Sequence, residues 1–161
     1  MAYQRLQVSE GLAVIPSNTV PIPDPASEAL SGTADFSVAS TLTDSLTTFL
    51  SDGIQMNAIV YNTTAQIAYF VTAVTDNLNL ALSPASTGGA TDSYIIFNAP
   101  TNAATLYVGT TGDLVVEMAS QRNSSDTPTL TFKNIPNSAF LPVLVTKVGA
   151  STTATDIIAL F

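Results

Sequence analysis

Ile59-Val60-Tyr61-Asn62-Thr63-Thr64-Ala65-Gln66-Ile67-Ala68-Tyr69-Phe70-Val71-Thr72-Ala73-Val74 is the stretch that decides the fold. Ile59-Val60-Tyr61 and Ala68 to Val74 are β-branched and aromatic, the composition of a pleated, half-buried strand. Between them Asn62-Thr63-Thr64-Ala65 carries the polar, Asx-type chemistry of a turn, so the stretch predicts a hairpin. A second turn at Asp76-Asn77 leads into Leu78, Leu80 and Leu82, whose period of two puts three leucines on one face.

The same pattern extends outward in both directions. Upstream, Phe36, Val38 and Ser40 alternate with smaller or polar neighbours, and Leu46 to Leu50 runs into the turn signal Ser51-Asp52-Gly53; Thr47 to Leu50 could instead form a helical turn. Downstream, Gly88-Gly89 and Asp92 set off Tyr94 to Phe97. Then follow Thr105 to Val108, the turn Gly109-Thr110-Thr111-Gly112, Leu114 to Ala119, a polar loop at residues 120–127, Thr129 to Phe132, Phe140 to Val148 and Asp156 to Phe161. Turn signals at such regular, short intervals predict an all-β antiparallel sandwich or barrel of short strands. The expected layout is an arm over residues 1–33, a β module over 34–98 and a second over 99–161, with the option that the modules share one core. Ile157 to Phe161 is apolar throughout, which predicts a paired and packed strand where a free end would fray into polar sequence.

The arm is set by proline. Residues 12–25 contain Pro16, Pro21, Pro23 and Pro25, each of which fixes φ, removes a donor and pushes its predecessor toward extended geometry. Val14, Ile15, Val20 and Ile22 are too apolar for a free linker, so the arm is expected to lie on a surface, either of its own domain or of a neighbour.

Composition narrows the function. Of 161 residues 46% are apolar and only 10% charged, so Thr, Ser and Asn must cover much of the surface. Four basic against twelve acidic residues give a net charge of -8, which argues against nucleic acid and against anionic membrane surfaces. Apolar runs are short and interrupted, so no transmembrane segment is expected, and the N-terminal residues lack the pattern of a secretory signal. The expectation is a protein folded in a cytoplasm.

The absence of His and Cys removes the commonest catalytic base, the usual nucleophile pairs and the usual zinc and iron ligands. Asp113 and Glu117 would share one face of a strand and are the best-spaced carboxylates, but a solvated face explains them as well. Asp44 and Asp52 bracket an apolar stretch, while Asp24, Asp76, Asp92, Asp126 and Asp156 fall in expected turns. No Asp-x-Asp-x-Asp calcium run is present. Asn62-Thr63-Thr64 and Asn123-Ser124-Ser125 match a glycosylation pattern that carries no weight without secretion. Tyr61, Tyr69, Phe70, Tyr94 and Phe97 could line a sugar groove, although core packing is the simpler reading. No catalytic residue, cofactor or metal is assigned, and no enzyme is expected.

Leu130-Thr131-Phe132-Lys133-Asn134-Ile135-Pro136-Asn137-Ser138-Ala139-Phe140-Leu141-Pro142-Val143, followed by Thr152-Thr153-Ala154-Thr155-Asp156-Ile157-Ile158-Ala159-Leu160-Phe161, resembles the C-terminal ending of many small structural proteins of tailed-phage particles. Ser138 stands where a glycine is usual and Leu144 where Arg is commoner. The arm from Val14 to Pro23 and the segment from Ser51 to Val74 are similar to structural proteins of marine and cyanobacterial phages. The resemblance implies a virion component, with a capsid decoration (cement) protein on the head surface as first reading and a tail or neck spike, fibre-base or adaptor subunit as second. A carbohydrate-binding module is a third class. Implied partners are further copies in a homotrimer and a major capsid protein or other virion proteins, with neither nucleic acid nor membrane. Val14, Ile15, Pro16, Val20, Pro21, Ile22 and Pro23 are the expected capsid or subunit contact, and Leu144 and Phe161 the expected oligomer interface or core plug.

Overall fold

The structure, a computed structural model, describes residues 8–85, 87–98, 102–121 and 130–161. It is all-β. Two six-stranded antiparallel sheets account for its strands, and helix among the described residues is limited to two 3-10 turns of three residues each.

The first sheet lies wholly between residues 28 and 97. Its order is β2 (Glu28–Ala34), β7 (Asp92–Phe97), β4 (Ile59–Asn62), β5 (Ile67–Val74), β6 (Asn79–Ser83) and β3 (Thr41–Thr43). The expected hairpin is β4–β5, with Ile59 opposite Phe70 and Asn62 opposite Ile67. Asn62 explains the turn: its side-chain oxygen accepts the Thr64 and Ala65 amides at 3.1 and 2.8 Å. The sheet curls until its outer strands approach, where Asp35, just past β2, bridges Thr43.

The second sheet has the order β1 (Gly11–Ala13), β12 (Thr155–Leu160), β8 (Ala104–Thr110), β11 (Ala139–Val148), β9 (Gly112–Met118) and β10 (Leu130–Ile135). The segment ending at Phe161 is thus an interior strand, β12, held between β1 and β8. Gly112 is required where the chain returns to form β12, because a Cβ there would collide with the backbone of Ala154.

Period-two alternation gives the first sheet two apolar faces. Val60, Tyr69, Val71, Tyr94 and Ile96 point into the curl with Phe36, Leu42 and Phe49, and Phe36 stacks on Tyr69 at 5.9 Å. Ile59, Tyr61, Ala68 and Phe97 form the reverse face, with Tyr61 and Phe97 edge to face at 5.7 Å. The second sheet has its own core around Leu106, Val108, Leu114, Val116, Val145 and Ile157. The two modules therefore keep separate cores.

Local expectations differ from the structure at four places. β2 begins at Glu28, inside the stretch read as arm, because an edge strand can be built from Ser, Ala and Gly when only one of its faces is buried. Residues 36–40 form no strand, and although Phe36 is buried, Val38 is exposed. Residues 44–56 form a looped segment held from within by Phe49 and Ile54. Leu80 and Leu82 share the core face of β6, but Leu78 stands in the preceding turn and is 41% exposed.

Candidate functional site

The arm is the first candidate, and its backbone is tied to the second sheet. Val14 donates to the Ile157 carbonyl at 2.9 Å, Ser17 to Val148 at 2.8 Å and Ile22 to Thr146 at 2.9 Å. Ser17 Oγ accepts the Val20 amide at 3.0 Å, which turns the arm back on itself. In an extended chain successive side chains point in opposite directions. Val14 accordingly enters the core of the second sheet while its neighbour Ile15 covers the reverse face of the first, and beyond the turn Val20 joins Ile15 and Ile22 joins Val14. The Tyr61 hydroxyl hydrogen-bonds the backbone of Ile15, and burial pushes its pKa upward. Pro23 is also buried, and Pro16 and Pro21 are half-buried. Of the two surfaces open to the arm, its four large apolar side chains occupy that of their own chain. They act as a staple between modules. Contact with another subunit through these side chains would require the arm to leave this seat.

Leu144 and Phe161 go to different places. Phe161 packs against the second core, donates its amide to the Glu10 carbonyl at 3.0 Å and accepts the Ser9 amide at 2.8 Å. Leu144 is 53% exposed on β11. It belongs to the outer surface of the second sheet, where Ile158 of β12 and Phe140 of β11 both lie opposite Tyr107 of β8. Ala13 extends this row on β1, and Gly11, Leu160 and Thr105 form the next. None of these residues is charged. Phe140 and Ile158 remain 45% and 38% exposed.

The carboxylates are engaged in structure. Glu117 and Lys147 form an ion pair at 3.0 Å with both side chains about nine-tenths buried, and Asp113 accepts the Asn134 amide at 2.9 Å. The two expected face-mates thus serve separate contacts. Asp92, expected in a turn, sits in β7 and is buried, accepting Asn62 Nδ2 at 2.8 Å and the Gly89 amide at 2.7 Å. Asp44 accepts the Tyr94 hydroxyl at 2.8 Å; burial first, and then this bond, raises the phenol's pKa. Asp24 and Asp76 cap their turns, Asp156 lies at positive φ in β12, and Asp126 lies outside the described residues. Among the described residues no three carboxylates group so as to hold a metal ion. Tyr61, Tyr69, Tyr94 and Phe97 are buried and line no groove, while Asn62 is fully buried. Asn123 lies outside the described residues.

The sequence reading missed the loop at residues 44–56, where Leu46, Leu50 and Met56 are 89%, 59% and 65% exposed. The available signal was slight: Leu46 and Leu50, four apart, fit one face of a helical turn or of a strand equally well, and only the flanking acids Asp44 and Asp52 set the stretch apart. Comparison with protein-family models, with curated proteins and with solved structures gave no match for this chain.

Proposed function

We propose that this chain is a structural protein of a tailed-phage particle, a capsid decoration (cement) protein that assembles as a homotrimer on the head. The observation that carries the reading is the uncharged strip that β1, β12, β8 and β11 form on the outer surface of the second sheet. There Phe140, Leu144 and Ile158 face solvent on a chain of net charge -8. Exposed apolar surface of this kind marks a contact with another protein. Copies of an acidic chain repel one another, so they associate most readily through a face without charge. β10, β11 and β12, which carry Lys133, Phe140 and Ile158, are also the segment whose sequence resembles virion proteins. A rigid β body offering such a face suits a subunit that grips several shell proteins and gains avidity from doing so.

Counting copies per particle, by quantitative mass spectrometry of virions made by the encoding genome, tests the reading. Copies on the order of hundreds support decoration, a few to tens favour the tail or neck alternative, and absence from the particle overturns both. Light scattering adds an independent check. The trimer mass should fall to that of a monomer in Phe140→Asp/Leu144→Asp.

A further inference from the structure

We infer that the open seam of the first sheet, between the free edge of β2 and the loop at residues 44–48, receives an extended, lysine- or arginine-bearing segment of another protein as an added strand. β2 is paired to β7 alone. The curl closes at one point, where the Asp35 and Thr43 amides each donate to the other residue's carbonyl, at 2.8 and 2.9 Å. By the two-residue alternation of an antiparallel ladder, the backbone groups of Thr33 and Ser31 turn to the same side as those of Asp35. They meet no backbone partner among the described residues.

The opposite wall cannot supply one, because the chain leaves β3 at Asp44. The side chain of Asp44 accepts the Leu46 amide at 2.8 Å and turns the backbone outward. What remains is a groove between Ser31, Gly32 and Thr33 on one side and Leu46, Thr47 and Thr48 on the other. Asp44, held by the Tyr94 hydroxyl, forms its base. Gly32 keeps the base open, since a Cβ there would reach within 3.3 Å of Tyr94 Oη and 3.4 Å of Asp44 Oδ2. Leu46, 89% exposed at the lip, is an apolar side chain without cover. An unpaired edge beside an apolar lip is the geometry in which peptides bind by strand addition, with main-chain bonds giving affinity and side chains giving selection.

Charge decides the occupant. Asp35, Asp44 and Asp52 border the seam, and residues 28–97 contain no Lys or Arg. A second copy presenting its own β2 would bring two acidic edges together. A basic strand from a different protein would neutralise them.

The test uses a dye-labelled, blocked peptide of alternating lysine and valine, read by fluorescence anisotropy at low salt. The protein should bind it. Affinity should fall as salt rises. Binding should weaken about tenfold or more in Ser31→Pro/Thr33→Pro, because proline deletes the two seam-facing donors and leaves the bonds to β7 in place. A peptide N-methylated on alternate residues tests the same bonds without altering the protein and should bind as weakly. A glutamate-for-lysine peptide should not bind. Three results would each overturn the inference: no binding of the lysine peptide by the unaltered protein, equal binding of the N-methylated or glutamate peptide, or a self-association of the protein that the double proline variant abolishes.

Discussion

The first sheet carries apolar side chains on both faces and, between residues 28 and 97, no basic residue. The second buries one face, holds Lys133 and Lys147, and leaves Phe140, Leu144 and Ile158 to solvent. The difference shows which module depends on which. A sheet with two apolar faces cannot stand alone in water, and its reverse face is covered by Ile15 and Val20 from an arm whose backbone bonds belong to the other module. The second sheet takes from the arm its edge strand β1 and two core residues, Val14 and Ile22, and supplies the rest of its core itself. It can keep its outer surface free for a neighbour.

Removing β12 would break this relation most completely. Deletion of Ile157 to Phe161 takes an interior strand from the second sheet and the acceptor of the Val14 amide with it. Each buried large side chain lost is worth about 1.5–3 kcal/mol in a fold of about 5–15 kcal/mol net stability. The truncated protein should lack folded circular dichroism and soluble expression. Unchanged melting would contradict the account.

The buried ion pair sharpens the comparison at the next level, since the described lysines all lie in the second module. Lys147→Met strands Glu117 and should cost about 3 kcal/mol, whereas Lys147→Met/Glu117→Leu should recover most of that loss in a denaturant melt. Equal loss in single and double variants would mean that the pair itself supplies the stability.

In the first module Tyr94→Phe should cost about 1–2 kcal/mol, because Asp44 loses a buried donor. The same module should set the alkaline limit. Tyr61 and Tyr94 both have pKa values raised by burial, so the folded state holds their protons more tightly than the unfolded state. Their contribution is complete below an unfolded phenol pKa of about 10 and is lost as pH climbs above it. Tyr94→Phe should flatten that alkaline decline. At the acid end the effect is smaller. Asp35 is held low chiefly by Ser37, and Asp76 chiefly by Asn79, so both favour folding above about pH 4 and lose that contribution as pH falls. Asp76→Asn should shift acid unfolding only slightly.

The parts of the fold visible in the sequence were apolar, β-branched runs set between turn signals. The β4–β5 hairpin and β12 are legible for that reason, and β11 adds a period of two from Ala139 to Leu144. β2 escaped notice because Ala, Ser and Gly suffice on an edge, and residues 44–56 misled because Phe49 and Ile54 are core residues supplied by a loop. The arm was legible as extended and surface-bound, but its seat was not. Adjacent Val14 and Ile15 must face opposite ways in an extended chain, so two apolar neighbours there call for burial on both sides. The sheet residues that bury them, Ile59 onward for Ile15 and Ala104 onward for Val14, are 44 or more positions away, beyond any local pattern. Similarly, the uncharged outer rows depend on a register that joins β1 to β12, and β8 to β11 and β12, pairs of strands that are distant in the chain.

The claim on which the rest depends is that the arm staples the two modules, and hydrogen exchange on Ile15→Ser/Val20→Ser measures it most directly. Exposing the reverse face should cost about 4 kcal/mol or more. Amides of β4, β5 and β7 should then lose protection well ahead of those of β8, β11 and β12, where the unaltered protein protects both sheets together. Protection in the double-serine variant that falls equally in both sheets, or in neither, would contradict the account.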